Sequence, residues 1–351
     1  MIKDIKRRSA IEKPYENYVE YLNKTIALPD QYQYTAIDLF AGCGGLSLGF
    51  EAAGIKTIGY EMVEDCCNTY RNNLGGQCFQ EKLTVDSQFP KVDIVIGGPP
   101  CQPFSVSGKQ LGEADERNGF PIFISAIRQL RPKIFLFENV RGVLYKNRSY
   151  FDLVIEQLRD LGYKINYMLI NAADYDVPQN RERVICVGTT DQAFEFPKAK
   201  EYLVTAGEAV GDIVGVMPED PLFLTPSMDK YIANYEKKSH CITPRDLHME
   251  QPARTLTCRN LAGATSDMQR VKLDDGRRRR LTVREAARLQ SFPDWFKFSG
   301  TRDSQYNQIG NAVPPFLAYN IAKAMIAHIE GENYSKETRQ LTLFDCQEQD
   351  K

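Results

Sequence analysis

The 351-residue chain has no run of about eighteen apolar residues, which argues against a membrane-spanning helix. Its first residues, MIKDIKRRSAIEKPYENY, are charged and carry no apolar core, so a secretory signal is not expected. None of its nine cysteines forms a Cys-x-x-Cys pair. That argues against a zinc site or a disulfide scaffold, and for reduced thiols in a cytosol. There is no charge excess either: the net charge is −2. Bulk charge therefore gives no support to nucleic-acid binding, although Arg277 to Arg280 form one local basic concentration. Internal repeats are absent. What is present is ordinary for a globular protein, 42% hydrophobic and 26% charged residues, in a chain long enough for one large domain and a smaller one.

Residues 1–33 read as an extension with a short helix, because Tyr15, Tyr18, Val19 and Leu22 fall at helical spacing. TAIDLF is a strand that stops at the AGCGG turn and gives way to the helix LSLGFEAAG. KTIGYEM, VDIVIGG, PKIFLFENV, YKINYMLINA and RERVICVGT read as further strands, with helices in PIFISAIRQLRP and SYFDLVIEQLRDLGY. Alternation of this kind predicts an α/β fold, a doubly wound and mostly parallel sheet over residues 34–190. Between 191 and 280 the alternation breaks, and Pro, Gly, Asp and Thr predominate; a smaller domain of short strands and loops is expected there. Residues 281–330 return to the main domain with two helices, LTVREAARLQ and PPFLAYNIAKAMIAHI. A polar tail, 331–351, closes the chain.

Ligands of such sheets bind beyond the carboxyl ends of the strands. Gly42, Glu61, Cys101 and Glu138 all fall at those ends, which argues for one shared site. Gly42, Gly44 and Gly45 allow a ligand close approach to the backbone at a helix N-terminus. By itself such a turn serves equally as a nucleotide site or as plain structure. Glu61 after the next strand can accept both hydroxyls of a ribose, or can be a solvated strand end. Two prolines stiffen the loop before Cys101, as positioning a nucleophile requires. Lone cysteines are more often buried structural residues, but glycine, proline and polar residues surround this one. Glu138 follows an apolar strand and is expected to be partly desolvated, which can keep a carboxyl protonated as a donor. Its alternative is a capping or salt-bridged carboxylate. Gln179, Arg181 and Arg183 alternate, so their side chains share one side, suited to an anion, a base edge or a carboxylate. An exposed basic strand edge would look the same.

With those residues laid out, the chain resembles the cytosine-5 DNA methyltransferase family of the prokaryotic restriction-modification type. DLFAGCGGL, GGPPCQPFS, ENV, QNRER, LTVREAARLQSFPDWF and QIGNAVPP match its motifs in order, over most of residues 35–330. The resemblance implies S-adenosylmethionine as methyl donor, S-adenosylhomocysteine as product and no metal. It implies double-stranded DNA as partner, a cytoplasmic location and a monomer. In the catalytic set, Cys101 attacks an everted cytosine, Glu138 holds its ring, and Arg183 holds Glu138, with Gln179 and Arg181 beside them. For the cofactor the family points to Phe40 at the adenine, Asp38 and Gly44 at the amino-acid end, and Glu61 at the ribose. Gly42, Gly45, Leu46, Met62, Pro100, Asn311 and Ala312 complete that pocket.

One departure concerns the family's acid at the adenine amino group. Lys82 stands at its apparent place, with Asp86 as a substitute through a shifted loop. For DNA, Ser105, Arg117 and Arg181 are candidate phosphate or base-site contacts, and Arg254 and Arg259 candidate readers of guanine. Thr255 opens a Thr-Leu-Thr run that resembles an element of the family's recognition domains, though a plain β-strand would also use it. Separately, RQLTLFD resembles peptides that dock on the bacterial replication sliding clamp, with Gln340, Leu343 and Phe344 as anchors. The competing reading is a tail packed on its own domain. Rival functions are a transfer-RNA cytosine-5 methyltransferase on the same scaffold and a non-catalytic DNA-binding module. The variable region lacks the Cys-Phe-Thr tripeptide shared by the RNA-acting relatives.

Overall fold

Period-two alternation of apolar residues builds a sheet buried on both faces. In β1 (Tyr34–Leu39) Ala36 packs into one core cluster while Ile37 and Leu39 pack into another. The same split occurs in β4 (Ile94–Gly97) and β5 (Ile134–Val140), with Ile94, Ile96, Ile134 and Leu136 on one side, Val95, Phe135 and Phe137 on the other. Successive strand side chains point to opposite faces, so each strand serves two cores at once. The computed structural model describes residues 7–100, 118–238, 240, 245–263 and 267–331. Cys101, Ser105, Arg117, Gln340, Leu343 and Phe344 lie outside the described residues.

Seven strands form the main sheet in the order β3-β2-β1-β4-β5-β7-β6, where β2 is Ile55–Glu61, β3 Gln77–Gln80, β6 Lys164–Asn171 and β7 Glu182–Thr189. Six of the strands follow the sequence reading. The short edge strand β3 was not legible, because a four-residue segment with one buried side chain has no detectable period. Only β7 runs against the others; it pairs antiparallel with both β5 and β6. The chain therefore belongs to the expected α/β, mostly parallel class. β1 pairs with both β2 and β4, so the strand order reverses direction at the β1–β4 pair. A crevice at such a reversal is where ligands of open α/β sheets bind.

Helices cover both faces. On one side lie α4 (Phe120–Leu130) and α5 (Arg148–Asp160), whose Phe120, Phe123, Phe151 and Leu158 fill the core against β5. On the other lie α1 (Tyr18–Thr25), α2 (Gly45–Ala52), α9 (Val283–Leu289) and α11 (Pro315–Ile329). The predicted N-terminal helix is thus present, with Tyr18 and Leu22 buried. Two further helices, α3 (Glu64–Asn73) and α10 (Arg302–Asn311), escaped the sequence reading because both are polar.

The segment 191–280 differs from its expectation of strands and loops. Among its described residues are three helices, α6 (Ala206–Val214), α7 (Pro226–Lys238) and α8 (Cys258–Ala262), and one short hairpin of β8 (Arg270–Lys272) and β9 (Arg278–Arg280). Two of its described threonines are helix caps: Thr205 and Thr257 each close a capping box. Ala206, Ala209 and Val210 belong to the main core, whereas Leu224, Ile232 and Met268 form a small cluster of their own. The basic run is not a free positive patch. Arg277 pairs with Asp275, Arg278 with Asp229 and Asp246, and buried Arg279 with Glu285, so most of its charge is neutralised within the fold.

Candidate active site

The turn after β1 is tightly specified. Gly44 caps α2 with φ +89°, a conformation L side chains rarely adopt, and a Cβ there would stand 2.6 Å from Leu74 Cδ1 and 2.9 Å from Tyr70 Cδ2. At Gly45 a Cβ would meet the Val313 carbonyl oxygen at 2.5 Å and the Ala312 methyl at 3.0 Å. The C-terminal motif is therefore packed directly on the turn, and Leu46 is buried behind it. Glu61, at the end of β2, accepts from the Gly42 amide at 2.9 Å and the Val63 amide at 2.8 Å. Each carboxylate oxygen keeps a lone pair for another donor. Phe40, at φ +62°, places its ring beside Pro100 and Gly119, and Met62 is 61% exposed next to Glu61.

Asp38 is 1% exposed at the end of β1. Its Oδ2 accepts from Ser47 Oγ at 2.7 Å, while its Oδ1 is buried without a partner. Burial raises its pKa from 3.8 to about 7; the Ser47 bond lowers it and the charge of Glu61 raises it. The sign for stability follows. The folded state binds a proton that the unfolded state has lost between about pH 4 and pH 7, so this site costs stability as pH rises through that window. Asp38→Asn is expected to raise the ligand-free melting temperature by about 2 °C or more at pH 8 and by less at pH 5. Calorimetric scans at the two pH values check this; an equal or lower midpoint for the variant at pH 8 contradicts it.

An acidic residue that the sequence reading did not single out stands beside Lys82. Glu81, not Lys82, directly follows β3, and its amide donates to the Glu61 carbonyl at 2.9 Å. Glu61 and Glu81 are thus neighbours at the ends of adjacent strands. Asp86 sits in an exposed turn, where its amide bonds Thr84 Oγ1. The register of the β2–β3 pair, invisible in the sequence, would have identified Glu81.

At the ends of β5 and β7 a second cluster forms. Glu138 and Arg183 come from antiparallel neighbours and lie on the same face as Leu136 and Ile185. Arg183 Nε meets Glu138 Oε1 at 2.7 Å, and each side chain is 12% exposed. Of the two readings of Glu138, the salt-bridged one is found. Burial pushes the Arg183 guanidinium down from its ordinary value and Glu138 opposes that shift; an arginine keeps its charge regardless. Asn139 Nδ2 donates to the Pro99 carbonyl at 3.0 Å, and the Gly119 amide to the Pro100 carbonyl at 2.9 Å. The Pro-Pro turn that precedes Cys101 is thereby tied to the strand that carries Glu138. Asn139 was not singled out in the sequence.

Gln179 and Arg181 are structural. Arg181 is 1% exposed and donates to the carbonyls of Leu256, Gly310 and Ala312 at 2.6, 2.9 and 2.9 Å. A phosphate or base contact by Arg181 is therefore corrected: its Nη donors face backbone oxygens, its Nε is buried without a partner, and burial with the like charge of Arg183 pushes its pKa well down. Gln179 accepts from the Leu256 amide at 2.8 Å and donates to the Leu289 carbonyl at 3.1 Å. Thr255 Oγ1 donates to the Asn180 carbonyl at 2.6 Å, so Thr255 anchors the segment. That segment belongs to no strand, and Thr257, itself extended, ends it by capping α8. Arg254 pairs with Asp267 at 3.2 Å, Arg259 is exposed on α8, and Asn311 accepts from Cys258 Sγ at 2.9 Å. Together these bonds stitch residues 253–257, 309–312 and the start of β7 around the Glu138–Arg183 pair.

A family profile described as C-5 cytosine-specific DNA methylase matches residues 34–327. The chain belongs to this family. The methylase is 53% identical over 321 residues to the type II methyltransferase M.AplI of Arthrospira platensis, covering 90% of this chain and 93% of that one. It is 35% identical over 344 residues to M.FnuDI of Fusobacterium nucleatum, covering 88% and 99%. Among solved structures, a Spodoptera frugiperda DNMT2 mutant superposes with a TM-score of 0.65 at 17% identity, over 84% of this chain and 100% of that one. At that identity the likeness speaks for the fold alone. The methylase is a DNA cytosine-5 methyltransferase, which sets aside the transfer-RNA and non-catalytic rivals. Among its described residues no helix is long and apolar enough to cross a membrane, and no cluster of His, Cys, Asp and Glu could hold a metal ion.

Proposed function

We propose that this methylase uses S-adenosylmethionine to methylate carbon 5 of a cytosine everted from double-stranded DNA, through a transient bond to Cys101. The observation that carries the reading is the Glu138–Arg183 pair at the strand ends, tied by Asn139 to the turn before Cys101. The cofactor residues fit the donor. Asp38 offers a buried, unpartnered oxygen to an α-ammonium, and Glu61 offers lone pairs to ribose hydroxyls. A Cβ on Gly42 would meet nothing within 4 Å, so space lies open above the turn. Phe40 and Met62 supply apolar surface for an adenine ring, and Glu81 stands at the strand end beside Glu61 as acceptor for its amino group. Ala312 packs on Gly45 of that turn, and in this reading Pro100 and Asn311 complete the pocket. When bound, the donor supplies an electrophilic methyl group on a sulfonium.

The protein's own groups do the rest. A cytosine in a stacked duplex hides carbon 6, so eversion comes first, at a cost of a few kcal/mol. The Cys101 thiolate adds to carbon 6 and pushes electron density onto carbon 5, splitting one hard step into two. Glu138 binds ring nitrogen 3 and the amino group, where charge develops, and Arg183 fixes Glu138 from behind. After methyl transfer, carbon 5 gives its proton to water and the carbon 6–sulfur bond breaks, which regenerates the thiolate. Ser105 and Arg117 contact the DNA near the everted base, and Arg254 and Arg259 face the duplex. Arg259 is the better reader of base edges, because Arg254 is already engaged by Asp267. The type II relatives point to the modification half of a restriction-modification pair acting on cytoplasmic DNA.

Bisulfite sequencing of plasmid DNA from cells that express the chain tests the reading. Protected cytosines at one short fixed sequence are expected. Protection at no sequence, with soluble protein present, would sink it.

A further inference from the structure

A buried file of hydroxyl groups runs behind the glycine turn. Asp38 Oδ2 lies 2.7 Å from Ser47 Oγ, which lies 3.0 Å from Tyr70 Oη. Tyr70 Oη is 2.5 Å from Thr57 Oγ1, which is 2.6 Å from Glu51 Oε1. All five residues are buried. They come from β1, α2, α3 and β2, so the file joins the elements that frame the cofactor turn. The file makes four contacts but holds only three hydroxyl protons between two carboxyl groups. If both carboxyls are ionised, one pair of oxygens faces without a hydrogen, a costly arrangement away from water. As the file stands, Ser47 donates to Asp38, Tyr70 to Ser47 and Thr57 to Glu51, which leaves the Tyr70 and Thr57 oxygens short of a hydrogen; a proton on Asp38 lets Ser47 turn to Tyr70 and Tyr70 to Thr57, and the deficit is gone. Glu51 already accepts from the amides of Gly75 and Gly76 at 2.7 and 3.0 Å and from Tyr32 Oη at 3.2 Å.

We propose that this file, centred on Tyr70, positions Asp38 for the α-ammonium of the cofactor and couples cofactor binding to release of the Asp38 proton. The inference rests on the cofactor reading above. The ammonium bonds the free Oδ1, Asp38 ionises, and its proton passes to solvent. Binding then forms a charge-assisted pair in a buried setting, where such pairs are strong. The raised pKa of Asp38, about 7, agrees with a proton held there before binding. The titratable groups around the file are Glu61 on β2, which also raises Asp38, Tyr70 on α3, Glu51 on α2 and Cys78 on β3. Strand β4 sets only Ile96 opposite Asp38. Tyr70 also supports the turn by shape, since its ring lies under Gly44. It is a positioning residue and touches no reacting atom.

Titration calorimetry with S-adenosylhomocysteine, which keeps the amino-acid end and permits no turnover, tests this. In buffers of different ionisation enthalpy at pH 6.5, wild-type protein is expected to release roughly half a proton or more per ligand bound, falling toward zero at pH 8.5. Tyr70→Phe keeps the ring but leaves two hydroxyl protons for two contacts, so Asp38 no longer needs a proton of its own; proton release on binding at pH 6.5 is expected to fall to less than half the wild-type value, with a melting temperature close to wild type. Ser47→Ala, which frees Asp38 Oδ2, serves as the second variant. Failure of wild type to bind the ligand would overturn the cofactor reading itself. Binding by wild type without proton release at pH 6.5, or wild-type proton release by Tyr70→Phe together with unchanged affinity in Ser47→Ala, would overturn the inference and leave that reading standing.

Discussion

Cys101→Ala is expected to lose DNA methylation by at least about 10⁴-fold, the scale on which removal of a covalent nucleophile acts. Cys101→Ser should fail as well, because a hydroxyl is far less nucleophilic than a thiolate near neutral pH. The decisive measurement uses DNA in which the target cytosine carries fluorine at carbon 5. Wild-type protein adds its thiolate and transfers the methyl group, but no proton remains on carbon 5 to leave, so the enzyme stays bonded to the DNA. A denaturing gel should show this adduct for wild type and not for either variant. A Cys101→Ala protein that still protects plasmid cytosines from bisulfite would refute the assignment of the nucleophile.

Glu138→Gln is expected to lower kcat by about 10² to 10³-fold, the size reported for one preorganised group that stabilises transition-state charge. Glutamine keeps an acceptor for Arg183, so the buried guanidinium is not stranded and the fold should persist. DNA affinity should change little, because the acid acts on the everted ring and not on the duplex. Methyl transfer at saturating DNA and donor, compared with DNA binding by the same protein, separates the two effects. A kcat within threefold of wild type would remove Glu138 from the mechanism. A large loss of DNA binding would instead make it a binding residue.

Much of the site was legible because its parts are local. The strand, glycine turn and helix at 34–52 declare themselves by a switch from period two to a helical pattern across a glycine cluster. Glu61 and Glu138 stood out because Glu61 ends β2 and Glu138 follows the apolar run of β5. Where reading failed, the information was not local. The alternation of Gln179, Arg181 and Arg183 promised three ligand-facing side chains. In the fold, the carbonyls of Leu256, Gly310 and Ala312 take the donors of Arg181, and the 253–257 and 289–290 segments take Gln179. The Arg277 to Arg280 run looked like a basic surface because its acidic partners, Asp229, Asp246 and Glu285, come from other elements. Glu81 went unremarked because only the β2–β3 register places it beside Glu61.

The sequence by itself determined which chemistry is carried and where strands and turns stop, because backbone preference and side-chain alternation act over a few residues. Tertiary structure decided which charged side chains meet. Insertion of β7 against β5 brings Arg183 to Glu138, and packing of α2, α3 and β2 closes the buried file from Asp38 to Glu51. Those meetings depend on strand order and on which apolar faces cover one another, a property of the whole core that no short window of sequence contains.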